Sequence, residues 1–162
     1  MSETLYPITV EVNGTQRTAQ VPARLTLVDW LRDELRLTGT HVGCEHGICG
    51  ACSVMLDGEP VRACLVYAVQ SDGHRVITVE GLVRLDGTLS ALQDAFCEAH
   101  ALQCGYCTPG MLVAAQALLN MTPRPSEEQI RDAIGGNLCR CTGYQQIVDA
   151  VKLAAQRLAA KS

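Results

Sequence analysis

Nine cysteines stand in a chain of 162 residues, and eight of them fall into two tightly spaced groups, which constrains the fold more than any other feature. Cys44, Cys49 and Cys52 follow the spacing C-x4-C-x2-C, with Cys64 further on; Cys104 and Cys107 form C-x2-C, and Cys139 and Cys141 form C-x-C. An odd number of thiols cannot all pair within one chain. The N-terminal stretch MSETLYPITVEVNG has neither a cationic start followed by an apolar run nor a twin-arginine pair, so a cytoplasmic location is expected. Disulfides are rare in that reducing compartment, and closely spaced cysteines there more often hold metal or do redox chemistry. A net charge of -4 leaves no basic field for a phosphate backbone, which argues against nucleic-acid binding. Nor is a membrane span expected, because the longest apolar run, Met111 to Leu119, is interrupted by Gln116 and falls short of the roughly 18–20 residues required.

Around the cysteines the pattern changes period once. Ile8, Val10 and Val12 alternate with polar residues, and Asn13-Gly14 supplies a tight turn into Thr15–Val21, which predicts a hairpin. Leu27, Trp30, Leu31 and Leu35 predict a helix over Thr26–Leu35 with Thr26 as N-cap. Glycines at 39, 43, 47 and 50 then break all periodicity before strands at Ser53–Leu56, Val61–Leu65 and Val76–Val79. Beyond Gly81 the spacing becomes helical: a stripe of Leu89, Leu92, Phe96 and Ala99; a helix opened by Thr108-Pro109 through Leu119; a short helix boxed by Ser126 and Gln129 and stopped at Gly135-Gly136; and a last helix started by Thr142. The expected architecture is α+β, a small sheet domain over 1–81 followed by four helices over 82–162.

The first cysteine group matches the spacing of plant-type 2Fe-2S sites. Three thiolates converging from one segment need a loop that wraps a centre, and Gly43, Gly47 and Gly50 let backbone N–H groups approach the sulfurs. A structural zinc site, the rival reading, more often presents paired C-x2-C units. The second group is ambiguous by spacing alone: a second cluster, a zinc site and redox thiols all remain open. Each of its pairs precedes an expected helix start, where free N–H groups and the macrodipole favour thiolate.

HVGCEHGICGACSVMLDGEPVRAC, then QCGYCTPGMLVAAQALL and GGNLCRCTGYQQIVDAV, resemble the small iron–sulfur subunit of the xanthine oxidase family of molybdenum hydroxylases over nearly the whole chain. The strings are similar to the separate small subunits of carbon monoxide dehydrogenase, isoquinoline and nicotine dehydrogenases and 4-hydroxybenzoyl-CoA reductase. The resemblance implies a plant-ferredoxin-like β-grasp domain followed by a C-terminal four-helix bundle, with two 2Fe-2S clusters. Cys44, Cys49, Cys52 and Cys64 would hold one, and Cys104, Cys107, Cys139 and Cys141 the other. The second would lie nearest a molybdopterin held by a large subunit and approached by Gln103 and Cys141. The first would face FAD on a medium subunit or another acceptor. The assembly implied is a hetero-oligomer, such as a dimer of heterotrimers. Electrons would pass singly from the molybdenum centre outward, and no substrate site is expected on this chain, which carries no dinucleotide fingerprint, phosphate loop or nucleophile–base pair. A free-standing two-cluster ferredoxin and a zinc-stabilised interaction module are the competing readings.

Among the remaining residues, Cys97 beside Phe96 reads as a small buried hydrophobe. His46 reads as a solvated loop residue, with donation to a cluster sulfur as the alternative. The face of Met111, Leu112, Ala115, Leu118 and Leu119 reads as helix core, shared or not with a subunit interface.

Overall fold

A computed structural model of the chain describes residues 3–160. Strands β1 (Leu5–Val12) and β2 (Thr15–Pro22) form the expected antiparallel hairpin, with Val12 opposite Thr15. Asn13 and Gly14 both take positive φ, the geometry that matches a two-residue turn to strand twist. With β3 (Ser53–Leu56), β4 (Glu59–Arg62) and β5 (Arg75–Ile77) they make a mixed five-stranded sheet in the order β2-β1-β5-β3-β4. β5 runs parallel to β1 and antiparallel to β3.

The short helix α1 (Leu27–Asp29) is capped by Thr26, whose hydroxyl accepts the Asp29 N–H. The chain then widens into a π turn over Trp30–Glu34, where the Leu35 N–H reaches back to the Trp30 carbonyl, in place of the uniform helix that the spacing predicts. Leu27, Val28, Trp30 and Leu31 bury against Ile8, Val10, Val12, Val54 and Val76 on one face of the sheet. Two expected strands are shorter than their sequence pattern. β4 ends at Arg62 because, after one last bond from the Ala63 N–H to the Cys52 carbonyl, the chain tightens into a 3-10 turn over Ala63–Leu65. β5 ends at Ile77 because the Thr78 N–H is taken by the side chain of Asn13.

The opposite face is covered by helices. α2 (Ala91–Glu98), α3 (Thr108–Met121), α4 (Glu127–Gly135) and α5 (Gln145–Ala159) follow in order, α2 packing on α5, and α3 on α4 and β3. Ser90 with Gln93 and Ser126 with Gln129 form reciprocal capping boxes at α2 and α4. α3 is buried from Gly110 to Leu119 except at Gln116, which answers for the apolar run: it is the helix at the centre, and a helix apolar all round belongs there. In β3 the side chains alternate, Val54 toward the α1 layer and Met55 into the helical core. The sheet therefore lies between two apolar layers, and the two halves of the chain share core. No helix is long and apolar enough to cross a membrane among the described residues.

Three further sequence expectations are corrected. Thr108 is the first residue of α3 rather than its cap; Cys107 occupies the cap position and the Thr108 hydroxyl is buried without a partner. The last helix begins at Gln145, not at Thr142, because Tyr144 takes a left-handed conformation and the Thr142 hydroxyl is spent on the Tyr144 N–H and on Cys139. Cys97 is exposed, not buried. Leu92 and Phe96, four apart, share the core face of α2, and one residue further turns the side chain by about 100° to solvent, beside Arg84, Asp94 and Arg157.

Candidate metal centres

The first cysteine loop runs between Arg36 and β3 with no regular structure. Gly47 and Gly50 both sit at φ +74°, where a β-carbon would be strained, and Gly43 packs so closely that its added β-carbon would lie 3.1 Å from Cys49 Sγ. The curled backbone aims N–H groups at sulfur: those of His46 and Cys49 each donate to Cys44 Sγ at 3.4 Å. Those donors, Cys49 foremost, pull the Cys44 thiol down to about 6. Cys52 is its opposite: burial pushes its thiol up to about 11, and the neighbouring Cys64 thiol adds to the rise. The His46 ring is exposed and bonds the Cys44 carbonyl, so the residue reaches sulfur through its backbone and not its imidazole.

The second group forms where the α2–α3 connection meets the segment between α4 and α5. Cys104 Sγ and Cys141 Sγ lie 3.5 Å apart. Cys107 is pushed up to about 12, first by burial and then by hydrogen bonding with Cys139. Burial works to raise Cys139 as well, but the hydroxyl and N–H of Thr142 and the N–H of Cys141 outweigh it and the thiol falls. The Tyr106 N–H, then Cys141, lowers Cys104, while Cys141 is raised by Cys104. The helix-start expectation therefore holds in place but not in sign for Cys107: it caps α3, yet desolvation outweighs the helix terminus.

Both groups thus bring thiols together in twos, Cys44 with Cys49 and Cys52 with Cys64, Cys104 with Cys141 and Cys107 with Cys139. Among the described residues no group of three or more His, Cys, Asp or Glu side chains closes on the position of a single metal ion. Four sulfurs held as two facing pairs suit a centre of two irons, each taking two thiolates. In the second group the two members of each pair are pushed in opposite directions, Cys104 down against Cys141 up and Cys139 down against Cys107 up, as expected of neighbouring sulfurs that need a shared cation before both can ionise. Two buried hydroxyls without partners, Thr40 Oγ1 and Thr108 Oγ1, stand just before Cys44 and just after Cys107 in the chain.

Gln103, Cys104 and Cys141 are exposed, with Leu102 exposed directly before Gln103 and Leu138 exposed three residues before Cys141. Between the groups runs a seam that the sequence reading missed. The Leu138 N–H donates to the Cys49 carbonyl at 2.9 Å, joining a residue of the first group to the neighbour of Cys139. Arg62 Nη1 donates to Ser53 Oγ at 2.5 Å and its Nη2 to the Gly136 carbonyl at 2.6 Å. At the outer edge, His41 stacks on Tyr106 with ring centroids 4.9 Å apart, and the Tyr106 hydroxyl donates to the Val42 carbonyl. Asn137, in the GGNLC string, was the one available signal, and only its burial gives it meaning.

Residues 10–76 match the 2Fe-2S iron-sulfur cluster binding domain family and residues 78–152 the [2Fe-2S] binding domain family. The caffeine dehydrogenase subunit gamma of Pseudomonas sp. (strain CBB1) is 55% identical over 150 residues, covering 91% of this chain and 89% of that one. The nicotine 6-hydroxylase small subunit of Paenarthrobacter nicotinovorans is 56% identical over 144 residues, 89% of this chain and 86% of that one. Among solved structures, a chain of quinoline 2-oxidoreductase from Pseudomonas putida 86 superposes with a TM-score of 0.92 at 46% identity, covering 98% of both chains.

Proposed function

Because the chain belongs to the small iron–sulfur subunits of the xanthine oxidase family, we propose that its two cysteine groups are the ligand sets of two clusters in series. It is the electron-transfer subunit of a molybdenum-dependent oxidoreductase and carries two 2Fe-2S binding domains. In our reading Cys44, Cys49, Cys52 and Cys64 hold one cluster, and Cys104, Cys107, Cys139 and Cys141 the other. The first belongs to a β-grasp domain over 1–81 and the second to a four-helix bundle over 82–162. A bound 2Fe-2S cluster takes up and gives back one electron at a time.

What the chain's own residues do is hold, tune and connect. Backbone N–H groups of His46 and Cys49 stabilise negative charge at Cys44; those of Tyr106 and Thr142 do so at Cys104 and Cys139. Burial of Cys52 and of Cys139 keeps water from one side of each site. The exposed edge with Gln103 and Cys141 is the face we assign to a large molybdopterin-binding subunit, and the first loop the face toward a medium FAD-binding subunit or another acceptor. A cytoplasmic hetero-oligomer, such as a dimer of heterotrimers, completes the reading. Caffeine, nicotine and quinoline, named in the relatives, are all nitrogen heterocycles, and we take a substrate of that class for the partner subunit.

The observation that carries this reading is the pairing of thiols in both groups, joined through the Cys49 carbonyl and the Leu138 amide. A free-standing ferredoxin has no use for a second thiol set opened at the surface beside an apolar rim. Iron and acid-labile sulfide analysis of the purified chain tests it: about four irons per chain and two distinguishable EPR signals on reduction are expected. Stoichiometric zinc without visible absorption would overturn it.

A further inference from the structure

The seam between the two cysteine groups is built more tightly than domain docking requires. Asn137 is 1% exposed, and its whole polar complement is engaged. Its side-chain amide donates to the Gly50 carbonyl at 2.9 Å and to Ser53 Oγ at 3.3 Å; its Oδ1 accepts from Arg62 Nη2 at 3.3 Å. Its own N–H donates to the Ile134 carbonyl, and its carbonyl accepts the Tyr144 hydroxyl, which in turn takes the N–H of Cys139. Gly50 lies directly after Cys49, and Leu138 directly after Asn137. The amide side chain is therefore anchored one residue away from each partner of the Cys49–Leu138 hydrogen bond.

There is no slack around it. A β-carbon at Gly50 would lie 2.7 Å from both the Gly136 carbonyl and Asn137 Cγ, and one at Gly136 would lie 2.7 Å from Arg62 Nη2. Arg62, at the end of β4, ties Ser53, Gly136 and Asn137 with one guanidinium, whose planar fork suits three fixed acceptors better than an ammonium does. A buried amide is costly unless satisfied, and here every bond of the Asn137 side chain, with those of the half-buried Arg62 guanidinium, crosses between, or braces, the two cysteine loops.

Resting on the two-cluster reading above, we infer that Asn137, clamped by Arg62, is a positioning residue: it holds the Cys49 carbonyl on the Leu138 amide and so fixes the separation of the two thiol sets across which electrons pass. It touches neither set. Its effect is on their spacing, and electron passage falls steeply with distance.

Asn137→Asp tests this with almost no change of shape. The two amide donors are lost, and a carboxylate oxygen faces the Gly50 carbonyl. In the full chain loaded with iron and sulfide, iron content and each cluster's own EPR line shape should stay as in the wild type. Hydrogen exchange at the Leu138 amide should accelerate by about tenfold or more, the weight of one lost buried hydrogen bond. The magnetic interaction between the two reduced clusters should shrink, and electron equilibration between them after single-electron reduction should slow. Arg62→Lys should move the same readouts in the same direction by less, and it decides the matter if Asn137→Asp does not fold. A folded, iron-replete variant with unchanged Leu138 protection and unchanged interaction between clusters would overturn the inference. If the wild-type chain lacks two clusters, the functional reading fails, and the exchange rate at Leu138 still tests the clamp by itself.

Discussion

One substitution made at two glycines should give opposite signs. Gly110 lies in the first turn of α3, and a β-carbon there would sit 2.9 Å from Asn137 Nδ2, 3.2 Å from the Gly50 carbonyl carbon and closer still to the Gly50 oxygen. To reach ordinary contact the Gly50 carbonyl must withdraw by about 1 Å. That oxygen accepts from Ser53 Oγ at 2.6 Å, Asn137 Nδ2 at 2.9 Å and the Ser53 N–H at 3.2 Å. Losing the two longer bonds at ~1–1.5 kcal/mol each costs about 2–3 kcal/mol. Replacing a helical glycine by alanine returns about 1 kcal/mol. Gly110→Ala should therefore destabilise the chain by about 1–2 kcal/mol, a fall in Tm of roughly 2–8 °C at this size. Gly135, at the end of α4, has nothing within 4 Å of an added β-carbon and no positive φ, so Gly135→Ala keeps only the gain, about 0.5–1 kcal/mol. Thermal unfolding of the two variants and wild type at equal iron content checks both. A Gly110→Ala chain as stable as wild type would show that the seam yields where the packing says it cannot.

Three further outcomes follow from the same geometry. Cys49→Ser and Cys107→Ser should each lose about two of four irons and one EPR signal, read by iron analysis, since each removes one sulfur of a paired set. Cys97→Ala should keep both signals, and in the loaded wild-type chain Cys97 should be the thiol that iodoacetamide labels first, as mass spectrometry of the digest would report. His74, then the Arg75 N–H, holds Asp57 below its ordinary value of 3.8. A depressed folded-state value contributes stability that is present above the unfolded value and lost as pH falls through the folded one. Denaturant midpoints of wild type and Asp57→Asn should thus differ at pH 7 and draw together as pH falls below 3.8.

What the chain discloses in sequence is what is decided locally. Asn13-Gly14 and the S-x-x-Q box at Ser126 act within four residues, and each sits where its pattern puts it; the structure adds a second box of the same kind at Ser90. Thr108 and Thr142 carry the same chemistry yet cap nothing, because both stand beside cysteines, and the packing of the loops claims them: one is buried, the other given to Cys139. The cysteine groups are legible as spacing, whereas their division into facing pairs depends on β4 ending early and on α4 and α5 returning to the α3 start. Cys97 could have been read correctly, since the Leu92–Phe96 stripe already fixes which side of α2 faces the core. Arg62 and Asn137 could not, because nothing in a sequence tells a buried asparagine from an exposed one.

The two thiol groups also differ in how they would age. Cys104 and Cys141 lie exposed at the rim, while no member of the first group is fully exposed. In a chain standing alone, dioxygen and chelators reach the rim pair first, and thiolates at a surface are the ones that climb the oxidation ladder. If a partner seats on Gln103 and Cys141, as proposed above, it would be a seal as much as an electron donor, closing the open side of a site that the small chain leaves unroofed. Storage of the free chain should bleach it from that end, and the window between synthesis and assembly is when the cell must guard it.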